Sequence, residues 1–194
     1  MATPSKKRPF WKTILLSGLG IIVAFLGYVS MQPDEFRVSR SITIASPVDT
    51  IFPLINTQKQ WQHWSPWATL DPHAIFTYEG PDEGVGARVR WKGNKNVGSG
   101  TSTIIDSRDD DYIKFRLEFV EPMASVSVSE FSFTSSVDPI TTFDSTTVTW
   151  TMYGNQGFLS KLVSVFMDCE TLIGDQFEQG LKNLKVVSEQ ADHF

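Results

Sequence analysis

The chain has 194 residues, 41% of them hydrophobic and 12% aromatic, with a formal net charge of −5 at pH 7. That length holds one domain of ordinary size plus a small appendage, and the acidic balance excludes the basic stripe that a nucleic-acid partner needs. The single cysteine, Cys169, excludes an internal disulfide, so the domain must rest on its own core.

The appendage is N-terminal. Residues 1–13 form a basic tail with Lys6, Lys7, Arg8 and Lys12, and residues 14–31 carry no charge. As a helix this run would span roughly 27 Å, close to the ~30 Å hydrocarbon core of a bilayer. Phe10, Trp11 and Tyr28 sit near its ends, where aromatic belts form. The pattern predicts one transmembrane helix over 14–31, with the basic flank in the cytoplasm. A cleaved signal peptide fits less well, because Tyr28-Val29-Ser30 puts a large residue where a cleavage site needs a small one. Gly20 and Ala24 have a small-xxx-small spacing that is too common to fix an oligomeric state, which stays open. All 22 acidic residues lie at or beyond Asp34 with only 13 of the 17 basic ones, a net charge of −9 beyond the apolar run. The expected location is the bacterial inner membrane, with a single pass and the acidic domain on the periplasmic or extracellular side.

Phe36 to Ile44 alternates as a strand, with Phe36, Val38, Ile42 and Ile44 on one face and Arg40 interrupting it. Arg40 is expected either to pair with a carboxylate or to hold a polar headgroup. Ser46-Pro47 offers an N-cap followed by a proline at the first helical position, and Val48, Ile51, Phe52 and Ile55 follow at helical spacing. Three tryptophans then fall within seven residues, Trp61-Gln-His-Trp64-Ser-Pro-Trp67. Trp61 and Trp64 share a helix face, and Pro66 ends the helix. Such a cluster serves as a plug that closes a small core or as the rim of an apolar cavity.

From Asp71 to Tyr153 the chain punctuates like an antiparallel meander. Ile75–Tyr78, Ala87–Trp91, Gly100–Ile105, Tyr112–Phe119, Ser125–Thr134 and Thr146–Tyr153 are its predicted strands. Ile113, Phe115, Leu117 and Phe119 alternate with Lys114, Arg116 and Glu118, which means burial on one face only. In Ser125–Thr134 the apolar phase passes from Val126 and Val128 to Phe131 and Phe133, which predicts a bulge or bend near Ser129-Glu130. Leu159, Leu162, Val163, Phe166, Ile173, Phe177, Leu181 and Leu184 recur at threes and fours and predict one long amphipathic helix over 158–188. The implied architecture is α+β, a curved antiparallel sheet against a long C-terminal helix.

This order of elements resembles the START-like helix-grip (SRPBCC) superfamily, in its polyketide cyclase/dehydrase branch. The residues that carry the resemblance include Val38-Ser-Arg-Ser-Ile-Thr-Ile-Ala-Ser-Pro47, Trp61-Gln-His-Trp64-Ser-Pro-Trp67, Tyr78-Glu-Gly-Pro81, Gly84-Val-Gly-Ala87, Trp91-Lys-Gly-Asn94 and Phe177-Glu-Gln-Gly-Leu-Lys-Asn-Leu184. It covers about Phe36 to Ser188, within the expected ligand-binding domain 36–190, and implies a cavity between sheet and helix for a hydrophobic or amphipathic small molecule such as a lipid or isoprenoid. Trp64, Trp67, Tyr78, Trp91, Phe115, Phe131, Phe166 and Met167 are the expected ligand-binding residues.

Evidence for chemistry is thin by comparison. His63, Glu79 and Asp168 are the groups a cyclase or dehydratase could use as acid or base, and no Ser-His-acid set assembles from the spacing. His63, His73 and Cys169 lie on separate elements without metal-ligand spacing, and Asp109-Asp-Asp111 reads as a hairpin turn. No metal or cofactor is expected. The leading expectation is a membrane-anchored binding domain; the alternatives are an enzyme on an apolar substrate and an envelope interaction protein whose cavity is filled by its own side chains.

Overall fold

The computed structural model describes residues 10–137, 144–166 and 168–191, in two compact units. The larger comprises residues 35–155 and the chain from Cys169 onward. Its seven strands are β1 (Glu35–Ile44), β2 (Ile75–Glu79), β3 (Arg88–Lys92), β4 (Ser99–Arg108), β5 (Tyr112–Glu121), β6 (Ser125–Val137) and β7 (Asp144–Asn155). They form one antiparallel sheet in the order β1-β7-β6-β5-β4-β3-β2. All seven predicted strands are present within a few residues of their expected ends, because period-two alternation marks a sheet with one buried face.

Between β1 and β2 lie α2 (Val48–Asn56), a 3-10 helix (Gln58–His63) and the single turn α3 (Trp67–Leu70). Helix α2 buries Ile51, Phe52 and Ile55, the helical spacing seen in the sequence. Helix α5 (Cys169–Ala191) packs chiefly on β1 and buries Phe177, Leu181 and Leu184. Arg40, the charge on the inner face of β1, lies 3.2 Å from Glu178 on α5 and donates to the Ser39 carbonyl. Gly174 makes room for it, since a Cβ there would overlap the guanidinium. The charge on the apolar face is therefore paired across the sheet–helix contact. The Asp109-Asp110-Asp111 segment is the β4–β5 turn, with Asp110 at φ 59 in the left-handed region where Asp is tolerated.

Two expectations about the larger unit need correction. Strand β6 has no bulge: its register runs unbroken against both neighbours, and Ser125, Ser127 and Ser129 continue the phase of Phe131 and Phe133. Val126 is outward and 49% exposed. Assigning burial by hydrophobicity alone produced a false phase shift, because serines can occupy an inner face wherever their hydroxyls find partners. The irregularities lie in β4, between Ser99 and Gly100 and between Ile104 and Asp106.

The predicted long helix is also two helices, α4 (Phe158–Phe166) and α5. Spacings of seven and eleven keep a helical phase across the break, so periodicity could not reveal it. The overlooked signal is Asp168 just before α5, a residue type favoured at a helix start.

The smaller unit comprises the chain up to Asp34 and residues 156–168, and so takes α4 out of the block expected as one domain. It contains α1 (Phe10–Ser30) and α4, which pack together. The Phe25 and Phe166 rings lie 5.8 Å apart, and Lys161 Nζ is bound to Asp34 Oδ1. The side chains of α1 are described at Trp11 and over 14–30. Among the described residues, no helix is long and apolar enough to cross a membrane, so the predicted span is not shown.

Candidate hydrophobic-ligand site

The sheet's inner face is where apolar side chains converge, and its two ends differ. At one end seven rings interlock. Trp150 of β7 stacks on Phe131 of β6 at 4.6 Å and on Phe177 of α5 at 4.0 Å. Trp61 meets Trp64 at 4.7 Å and Phe115 at 5.1 Å, and Trp67 meets Trp150 at 5.7 Å. Trp64, Phe115, Phe131, Trp150 and Phe177 are each at most 2% exposed. Edge-to-face and offset contacts of this kind add to the apolar burial of each ring.

Three tryptophan N–H groups of the cluster have protein acceptors. Trp61 and Trp64 donate to the carbonyls of Ile55 and Leu54, at 2.8 and 2.9 Å. Those carbonyls belong to the last turn of α2, where a helix leaves its acceptors without intrahelical donors. Trp150 Nε1 donates to Ser129 Oγ at 2.8 Å. From α5, Asn183 Nδ2 donates to the Trp64 carbonyl at 3.0 Å. The Trp61–Trp67 motif thus closes α2, fills the concave sheet and is held from above by α5. Of its two readings, the plug is the one this geometry matches.

At the other end of the inner face the residues are smaller and the rings less covered. Trp91 on β3 and Phe119 on β5 flank Gly100 on β4, directly in register, and their rings meet at 5.7 Å. A Cβ on Gly100 would lie 2.6 Å from the Trp91 ring, so glycine is what lets that indole lie across the sheet. The next inner row runs Tyr78, Val89, Ser102, Leu117 and Ser127 across five strands. Ser102 and Ser127 are buried, whereas Tyr78, Trp91, Leu117 and Phe119 are only half-buried. Half-buried aromatic and aliphatic walls over a floor with a few hydroxyls are the composition of a small-molecule site.

The expected ligand-binding residues are therefore dispersed. Trp64, Trp67, Phe115 and Phe131 join the packed cluster, and Trp91 lies with Phe119 at the opposite end. Tyr78 also borders a recess of about 70 Å³ with Gln58, Lys59, Glu79 and Arg88, well under the ~300 Å³ at which drug-sized sites begin. Phe166 is 74% exposed in the smaller unit, against Phe25, because the helix break removes α4 from the sheet domain. Met167 lies outside the described residues. Sequence reasoning missed Trp150, which occupies the centre of the cluster, and the inward serines of β6. Alternation with Val148 and Met152 marks Trp150 as inward, but nothing local marks the serines.

The candidate acids and bases stand in separate settings. His63 is exposed at the end of the 3-10 helix, Asp168 is exposed before α5, and Glu79 pairs with Arg90 at 3.3 Å and Arg88 at 4.0 Å. Among the described residues no group of three His, Cys, Asp or Glu side chains could hold a metal.

A family model described as polyketide cyclase / dehydrase and lipid transport matches residues 35–189. The chain belongs to this family. Solved structures of similar fold extend well beyond close relatives. Ginseng major latex-like protein 151 from Panax ginseng is 13% identical, with 80% of this chain and 99% of that one covered at a TM-score of 0.55. The Aha1 dimer from Colwellia psychrerythraea is 14% identical, with 77% and 93% covered at a TM-score of 0.52. A protein of Nitrosospira multiformis is 18% identical, with 78% and 94% covered at a TM-score of 0.52. At such identities the likeness establishes the helix-grip α+β fold, with its antiparallel sheet and long C-terminal helix, and nothing finer. No curated protein sequence matches this chain.

Proposed function

We propose that this member of the polyketide cyclase/dehydrase and lipid-transport family is a membrane-tethered binding domain for a hydrophobic or amphipathic small molecule, of lipid or isoprenoid character. The reading is carried by the contrast on the inner face. The half-buried Trp91, Leu117 and Phe119 over Ser102 and Ser127 supply apolar walls with a few hydroxyls, while the other end is packed solid. A long apolar tail would lie along the walls, and a hydroxyl or carbonyl head would meet the serines. The tether is α1, whose apolar run extends over 14–31 behind a basic flank, with the acidic domain on the outer side of a bacterial inner membrane.

Lipid extraction and native mass spectrometry of the full-length protein, purified in detergent, test the binding reading. A co-purifying apolar molecule whose occupancy falls in Trp91→Ala and in Ser127→Leu supports it. An apo protein that also binds no fluorescent fatty acid sinks it. The interlocked rings under α5 favour a second reading, an envelope interaction protein with a filled interior. That reading predicts no small-molecule binding and a protein partner captured by cross-linking in the membrane. A cyclase or dehydratase activity has weaker support, since His63 is exposed and Glu79 is held in ion pairs with Arg90 and Arg88.

A further inference from the structure

We infer that α4 is a membrane-contacting helix, lying at the lipid–water boundary beside α1 with Phe158, Leu159 and Phe166 on the acyl-chain side of the headgroups. This deepens the proposed tether and rests on the reading of α1 as the anchor.

The first observation is the lack of any charge on α4 available to water. The sequence Phe158-Leu-Ser-Lys-Leu-Val-Ser-Val-Phe166 has one ionisable side chain, Lys161, which is buried and bound to Asp34. Phe158, Leu159 and Phe166 are 48%, 59% and 74% exposed. A helix surrounded by water normally turns charges outward; this one turns out its largest apolar groups.

The second observation is continuity. Every large apolar side chain of α1 from Ile14 to Leu26 except Phe25 is at least 42% exposed, and Phe25 is the one that meets Phe166. The exposed apolar surface of α4 therefore adjoins that of α1, and whatever covers one covers the other. An 18-residue uncharged run behind four basic residues matches a bilayer in length and in the sign of its flank.

The third observation is depth. The Gln156 N–H donates to the Asp34 carbonyl, and Lys161 reaches the Asp34 carboxylate, so the start of α4 is held just beyond the end of α1. Its far end meets Phe25, five residues before Ser30, about 7.5 Å back along α1. Interfacial helices bury their apolar faces about 5–10 Å into the boundary, with the charged atoms of flanking side chains kept at headgroup level. The Lys161–Asp34 pair lies at that level and the Phe25–Phe166 contact at that depth.

Spin labels test the placement in the full-length protein reconstituted into phosphatidylethanolamine and phosphatidylglycerol vesicles. On a Cys169→Ser background, single labels go on Phe166→Cys and Leu159→Cys of α4, Ile22→Cys of α1 and Asp49→Cys of the sheet domain. Collision with oxygen and with a water-soluble nickel chelate is then compared. Labels at 166 and 159 are expected to favour oxygen as the label at 22 does, by roughly tenfold over the label at 49. Labels at 166 and 159 that collide with nickel while 22 remains lipid-like would overturn the inference and leave the anchor standing. Nickel access at 22 as well would remove the anchor, and the inference with it. Spin–spin broadening at 166 that disappears on dilution with unlabelled protein would assign this face to a second copy of the chain, and would also overturn it.

Discussion

The two ends of the sheet's inner face are cut from the same alternating strands and have opposite character. Around Trp150 rings from two neighbouring strands, α5 and the tryptophan motif converge, and they stack or meet edge-on until five of them are at most 2% exposed. Around Gly100 the inward positions alternate between large and small, so Trp91 and Phe119 lean over glycine and serines and stay half-buried. Strands β4, β5 and β6 each contribute to both ends. A helix-grip sheet can thus close its interior at one end and leave it less filled at the other, by residue size along a strand and without altering the fold.

If the packed end is solid core, truncating it should do the greatest damage. Phe131→Ala is expected to cost about 3–5 kcal/mol in urea unfolding of the full-length protein, as for other fully buried rings. A cost near 1 kcal/mol would mean that the cluster already encloses free volume and that the two ends are alike. Next in size is Trp64→Phe, which keeps most of the ring but orphans the Leu54 carbonyl at the end of α2. A buried acceptor left without its donor costs about 1–3 kcal/mol, and amide exchange in α2 should quicken with it.

Trp91→Ala sharpens the contrast from the other side. That ring is only partly buried, so about 1–2 kcal/mol of stability is expected, with a larger loss in binding of an apolar probe. Stability lost without any change in probe binding would place Trp91 in ordinary core. Phe166→Ala should leave the sheet domain's unfolding within about 0.5 kcal/mol, since its ring is exposed in the other unit. A shift as large as that of Phe131→Ala would return α4 to the sheet's core.

The smallest effect belongs to the Lys59–Asp82 pair at the recess beside Tyr78. Hydrogen bonding to Lys59, and then its charge, hold the Asp82 carboxyl below its ordinary value. A carboxyl lowered in the folded state contributes stability above its unfolded value, which fades as pH falls through the folded one. Both groups are solvent-exposed, so Asp82→Asn should remove only a slight acid-side dependence. Carbon-13 NMR titration of the Asp82 carboxyl checks the direction: a midpoint at or above the ordinary aspartate value would show that the pair does not form in solution.

Much of this architecture was legible in the residues. Ile113, Phe115, Leu117 and Phe119 against Lys114, Arg116 and Glu118 announce a one-sided strand, and Ile51, Phe52 and Ile55 announce the buried face of α2. Such elements follow from period alone, because a strand or helix with one apolar face must bury it. The site was less legible. Trp64, Phe115 and Phe131 were recognisable as inward residues, but inward residues line a cavity or fill one, and that choice depends on rings contributed by other strands and helices. Trp150, from the far end of the meander, is what fills the space.

The sequence by itself therefore determined the seven strands, the helices at either side and the charge asymmetry between tail and domain, all products of local pattern. Tertiary structure decided which serines face inward, where the C-terminal helical stretch breaks, and that Phe166 meets Phe25. The physical reason is the same in each case. Periodicity specifies a face relative to its own element, and only packing between distant segments specifies what that face meets.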